Sequence, residues 1–209
     1  MRCLATFLLL PAFLLGQADP PKPEPTKTLP LKPNRKLNFQ TDEATWLALD
    51  VSPIDKSIVF ELLGDLYALP FSGGEAKLLI GGMGMETQPV FSPDGKTLAF
   101  LSDRDGSENL WIADANGSNL KQLTKDTMAT FVSPAWSPDG QFLAVSRITP
   151  ASRTAEIWMY HRDGGTGVQV TKAAEREGAP NPDRLSSLGA RFSPDGKFLY
   201  YSRRKGLFS

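Results

Sequence analysis

The chain has 209 residues, with 23 Lys plus Arg against 23 Asp plus Glu and 41% hydrophobic residues. A formal net charge of zero argues against nucleic-acid binding through bulk charge, which needs a basic excess or stripe. Gly (18) and Pro (17) favour turns over long helices, and one Cys with one His leaves no disulfide framework, Cys-rich zinc site or poly-His site.

Residues 1–18 read as a secretory signal peptide. A positive start at Arg2 precedes the apolar run Leu4 to Leu15, and Gly16-Gln17-Ala18 places small residues where a signal peptidase reads. The run is too short for a comfortable span of about 20 residues. Cys3 lies ahead of the apolar core, away from the cleavage point a lipoprotein would need. The expected location is periplasmic or secreted, with no membrane insertion after cleavage. Residues 19–36 follow as a Pro-rich linker, with six Pro among 18 residues and five bases against two acids. Each Pro removes a donor and fixes φ, so the segment is expected to be an extended, solvated tether.

The body, 37–209, repeats. The tetrads Ser52-Pro53-Ile54-Asp55, Ser92-Pro93-Asp94-Gly95, Ser137-Pro138-Asp139-Gly140 and Ser193-Pro194-Asp195-Gly196 are each followed by a short apolar strand: 57–62, 97–102, 142–146 and 198–202. Second strands are expected at 65–70, 109–114 and 156–161, and third ones at 76–80, 120–124 and 168–171. Apolar segments at 47–51, 89–91, 134–136 and 190–192 precede the tetrads. Short strands in groups of four, recurring about every 40–45 residues without an amphipathic helix, define an all-β fold: a β-propeller of four-stranded antiparallel blades. The blades are expected at about 46–82, 83–126, 127–173 and 188–209, three complete and the fourth truncated.

In each tetrad Pro presets φ for the second turn position, Ser bonds the backbone two residues on, and Gly supplies positive φ. Unit one has Asp55 in the Gly place and is expected to use its tolerance of the left-handed region. Asn116-Gly117-Ser118 reads as a hairpin turn before a glycosylation acceptor, and Asp103-Arg104-Asp105-Gly106 as a turn before a calcium loop. Phe91, Trp111, Trp136, Trp158, Phe192 and Tyr67 are expected to fill space between blades. His161 reads as a solvated turn residue, and 173–189 as a long polar loop.

The stretch FSPDGKTLAFLSDRDGSENLWIADANGSNLKQLT (91–124) resembles the PD40, or WD40-like, repeat of the propellers of TolB and the tricorn protease. More narrowly, 47–117 resembles the N-terminal propeller of exported bacterial amidohydrolases, in which the propeller precedes a metal-dependent hydrolase barrel. That resemblance implies a non-catalytic segment serving docking or substrate gating, partnered by a missing C-terminal hydrolase domain or another protein. The alternative is a stand-alone TolB-like periplasmic interaction module. The barrel's His-x-His and other metal ligands have no counterpart in this chain. No catalytic, metal or cofactor-binding residue is therefore assigned, no cofactor is expected, and binding residues are left unknown because they depend on strand register. The chain is expected to be a truncated product, a fragment or one part of an assembly, because three and a half blades leave open edges and apolar faces.

Overall fold

The computed structural model describes residues 39–45, 47–151, 154–172 and 185–205. The signal-peptide and linker segments, and residues 173–184 of the expected polar loop, lie outside these. Strands β1 (Leu49–Val51), β2 (Ile58–Leu62), β3 (Asp65–Leu69) and β4 (Lys77–Ile80) form the first antiparallel sheet in sequence order. The second holds β5 (Glu86–Phe91), β6 (Thr97–Ser102), β7 (Asn109–Asp114) and β8 (Lys121–Gln122). The third holds β9 (Thr130–Trp136), β10 (Phe142–Ile148), β11 (Ala155–His161) and β12 (Val168–Gln169). A fourth sheet pairs β13 (Leu185–Phe192) with β14 (Leu199–Lys205). The leading strands touch in succession, β1 with β5, β5 with β9 and β9 with β13, so the sheets radiate as blades from a shared inner edge.

Alternation along each strand makes this possible. In β6, Leu98 and Phe100 enter a core with Val59, Leu66 and Ile80 of the first blade, while Ala99 and Leu101 enter a core with Phe131, Leu143 and Val145 of the third. Every residue of β6 is buried, as two-sided packing demands. A smaller core joins Ala144 and Ile157 to Ala190, with Phe192 and Leu199 packed against it. The recurrent aromatics mostly take inter-blade places: Phe91 and Trp111 flank the first core, and Trp136 and Trp158 belong to or flank the second. Tyr67 instead lies on the outward face of the first blade, stacked on Phe60 at 5.9 Å.

The Ser-Pro corners are tighter networks than turn propensity alone implies. Ser92 donates its hydroxyl proton to Asp94 Oδ1 at 2.6 Å, and its Oγ accepts the Thr97 N–H at 3.0 Å. Asp94 Oδ1 also accepts the Lys96 N–H at 3.1 Å, and Gly95 stands at φ 64°. The corners at Ser137 and Ser193 repeat these bonds. The Ser oxygen thus serves an N–H five residues on, not two. Only Ser52 reaches two residues on, accepting the Ile54 N–H at 3.3 Å.

Unit one also departs from its expected geometry. Lys56, not Asp55, takes the positive φ, at 61°. The turn is one residue wider, closed by the Lys56 N–H on Ser52 O, and Asp55 instead accepts from the Ser57 N–H and hydroxyl. A second correction concerns 185–189, read as loop but forming the start of β13. Ser186 and Ser187 are fully buried there against the third blade, and small hydroxyls fit between sheets where large polar groups do not.

Three outcomes are expected. Phe100→Ala should destabilise by about 3–5 kcal/mol in urea melts, whereas exposed Phe198→Ala should stay within about 0.5 kcal/mol. The corner carboxylates set an acid limb. Hydrogen bonds from Ser57 hold Asp55 down to about 2, and hydroxyl bonds from Ser92, Ser137 and Ser193 lower Asp94, Asp139 and Asp195. Folded values below unfolded ones contribute stability that is present above the ordinary carboxylate pKa of ~4 and lost as pH falls towards about 2. Urea midpoints followed from pH 7 to pH 2 should fall across that window, and less steeply when all four residues are Asn. Gly95→Ala should destabilise too, because its Cβ would meet Ile54 Cγ1 at 2.7 Å as well as a positive φ.

Candidate functional site

The inner strands of the second, third and fourth blades each carry a bulge where a residue of positive φ turns its N–H out of the ladder. These are Gln88 (φ 52°), Ser133 (φ 58°) and Gly189 (φ 66°), where β5, β9 and β13 shift register against their neighbours. The released N–H groups find acceptors across the blade junctions. Gln88 N–H donates to Glu61 Oε2 at 2.7 Å, Ser133 N–H to Gln88 Oε1 at 2.6 Å, and Gly189 N–H to Ser146 Oγ at 3.1 Å. Further bonds of the same kind run from Phe91 N–H to Asp50 and from Phe131 N–H to Glu108, both at 2.7 Å. Burial pushes the Glu108 carboxyl up, and the Phe131 N–H offsets part of that.

The end of the blades remote from the Ser-Pro corners holds two guanidinium clusters. Arg104 meets the fully buried Glu86 at 2.6 Å and lies 5.5 Å from the Trp111 ring. Arg147 meets Asp126 at 2.5 Å and lies 4.7 Å from the Trp158 ring. Burial alone would raise the Asp126 carboxyl, but N–H bonds from Met128 and Ala129 together with Arg147 leave it lowered. In both clusters the charge is desolvated beside a ring face, where a cation is attracted.

Above the first cluster lies a cleft of about 640 Å³ between the first two blades. Its walls come from residues between 39 and 45 together with Leu47, the β2–β3 turn at Leu62, Leu63 and Gly64, and the β4–β5 connection at Met83, Gly84 and Met85. Glu43, Glu61 and Asp103 supply carboxylates, and no basic residue is among the described residues that line it. The rim is apolar and open: Leu63 is 80% exposed, Met83 63% and Met85 60%. The Met85 N–H donates to Asp103 Oδ1 at 2.7 Å, and the Gly82 N–H to Asp65 Oδ1 at 3.2 Å, which anchors the connection at both ends. The cleft can therefore hold a ligand by apolar contact and negative charge.

Most of these cleft residues do not stand out in the sequence by type or spacing. A usable signal was the pair Met83 and Met85 beside Gly82 and Gly84 in a connection between blades, since flexible apolar side chains on a loop mark adaptable binding surfaces. Of the residues weighed earlier, Asp103 reaches the cleft and Arg104 pairs with Glu86 behind it. His161 lies at the corner end, accepting the Asp163 N–H through Nδ1 at 3.2 Å and standing edge-on to Phe142 at 5.1 Å. Asn116 accepts from Ser118 within its hairpin. Among the described residues no group of three or more His, Cys, Asp and Glu is placed to hold a metal ion.

Radial sheets joined at their inner strands define the β-propeller class. The profile of the tricorn protease N-terminal beta propeller domain matches residues 50–188, and the chain belongs to that family. The uncharacterized peptidase YuxL of Bacillus subtilis is 31% identical over 162 residues, 65% of this chain and 23% of that one. A TolB homolog of Chlorobium chlorochromatii is 30% identical over 128 residues, 60% of this chain and 26% of that one. Among solved structures, putative TolB from Agrobacterium tumefaciens superposes with a TM-score of 0.60 at 23% identity, covering 78% of this chain and 55% of that one. The chain thus spans about half or less of each of these proteins.

The Glu86–Arg104 pair yields a sharp test of the junction beneath the cleft. Arg104→Ala should cost about 3–5 kcal/mol by leaving the buried carboxylate uncompensated, and a second change, Glu86→Gln, should recover a large part of it. A double-mutant cycle from urea melts measures both.

Proposed function

We propose that this chain is the non-catalytic propeller segment of an exported hydrolase and that it docks or gates that enzyme's substrate. The observation that supports this most directly is the open cleft between the first two blades. Its exposed Leu63, Met83 and Met85 surround carboxylates, a surface that fits contact with another chain, and the side chains of these three carry none of the hydrogen bonds between blades. Family membership agrees, because the family is named for the propeller of a protease and a relative is named a peptidase. The amidohydrolase character of the enzyme rests on the resemblance of 47–117 alone. Export rests on the apolar N-terminal segment and on the TolB relatives.

The test has two parts. Sequencing the locus downstream of the codon for Ser209 is expected to show a frame encoding a hydrolase domain with a His-x-His element. A locus without one overturns the hydrolase assignment and leaves the stand-alone TolB-like module. Fractionation of the source cells should recover the protein outside the cytoplasm, shortened by cleavage near Ala18; an intact cytoplasmic chain refutes export.

A further inference from the structure

The docking reading above leaves the chemistry of the docked partner open, and the cleft itself narrows it. Glu61 spends Oε2 on the Gln88 N–H and Asp103 spends Oδ1 on the Met85 N–H. Each keeps its other oxygen without a hydrogen bond among the described residues. Glu43, on the facing segment, adds a third negative charge, while Arg104, behind the cleft, is already committed to Glu86. The electrostatic demand is therefore for a cation, presented between carboxylates of two blades.

The apolar part of the cleft sets the rest. Phe39, Leu63, Met83 and Met85 are each at least 60% exposed and lie around the same concavity. Leu63 is held in the left-handed region at φ 54°, a conformation that costs energy for a residue with a γ-branched side chain, and among the described residues it is the most exposed large hydrophobic one. Thioethers beside it adapt to side chains of different shape. A small inorganic cation would use the carboxylates and leave the rim wet; an apolar molecule without charge would leave the carboxylates partly desolvated and unpaired.

We propose that this cleft docks an extended peptide segment in which Lys or Arg side chains, or a free amino terminus, alternate with apolar residues. The cation sits between Glu61 and Asp103, and the flanking apolar side chains rest on Met83, Met85 and Leu63. This rests on the docking reading but not on the identity of the attached enzyme.

Binding of fluorescein-labelled decapeptides to the purified full chain, followed by fluorescence anisotropy, tests it. The probes are alternating Leu-Lys, alternating Leu-Glu and alternating Leu-Ser. The Leu-Lys probe should bind, with affinity falling as salt rises. The double variant Glu61→Gln with Asp103→Asn keeps both acceptor oxygens for the Gln88 and Met85 N–H groups, so its melting temperature should match the parent while Leu-Lys affinity drops about tenfold. Met83→Ser with Met85→Ser should weaken the same probe, and Glu75→Gln, at the opposite end of the blade, should not. Equal binding of Leu-Lys by parent and charge variant overturns the proposal, as does equal binding of Leu-Lys and Leu-Glu. If Leu-Ser or Leu-Glu binds in their place and the methionine variant abolishes that binding, docking stands and the cationic rule falls. If no probe binds, both fall.

Discussion

The blades are held in register by a backbone distortion that no blade can satisfy alone. At each bulge a residue with φ between 52° and 66° aims an N–H away from its own ladder. Left without an acceptor inside a packed junction, such a group costs about 1–3 kcal/mol. The preceding blade provides the acceptor each time, yet with different chemistry: the Glu61 carboxylate, the Gln88 amide and the Ser146 hydroxyl. Apolar contact between blades is tolerant of small rotations. A hydrogen bond at 2.6–3.1 Å to one strained N–H is not, so it fixes how one blade meets the next.

The substitutions at one repeat position show how the constraint is met. Nine residues after the first Ser of each corner stand Glu61, Leu101 and Ser146. Glu61 and Ser146 face the following blade and accept its bulge N–H directly. Leu101 cannot accept, and it packs instead into the core shared with the third blade. The acceptor for Ser133 then comes from Gln88, whose own backbone is the bulge of the second blade. Gln88 is thus donor to one neighbour and acceptor to the other. That double duty explains why a non-glycine residue occupies a left-handed position there, where Gly189 serves in the fourth blade.

Most of the propeller was legible because its signals are local. The Ser-Pro corners, the alternation in 97–102 and the Asn-Gly and Asp-Gly hairpins depend on residues within one strand or turn of each other, and these became β6, β7 and the tight reversals between them. The misreadings arose where a distant contact decides. The wide turn at Lys56 follows from the lack of Gly at Asp55, whose carboxylate prefers the Ser57 N–H to a left-handed backbone. Leu185–Gly189 looked polar, but Ser186 accepts the Ala155 N–H from the third blade at 3.2 Å, and that pairing turns a polar stretch into a buried strand. The cleft was illegible for the same reason: Phe39, Glu61, Met85 and Asp103 are brought together only by the junction of two blades.

The cleft and the junction share residues, and this limits what the cleft can do. Glu61 holds the Gln88 N–H with one oxygen and faces the open space with the other, while Glu86, one residue beyond Met85, is sealed beneath by Arg104. A ligand that drew Glu61 away from Gln88 would strand a strained N–H at the blade junction, so occupancy has to leave that bond in place. The floor of the cleft is therefore rigid. The adaptable parts are the methionines and Leu63 at the rim, which are exposed and carry none of the cross-blade bonds. A stiff charged floor beneath a compliant apolar rim can fix the position of one cation while tolerating varied neighbours. Recognition built that way reads charge placement strictly and side-chain shape loosely.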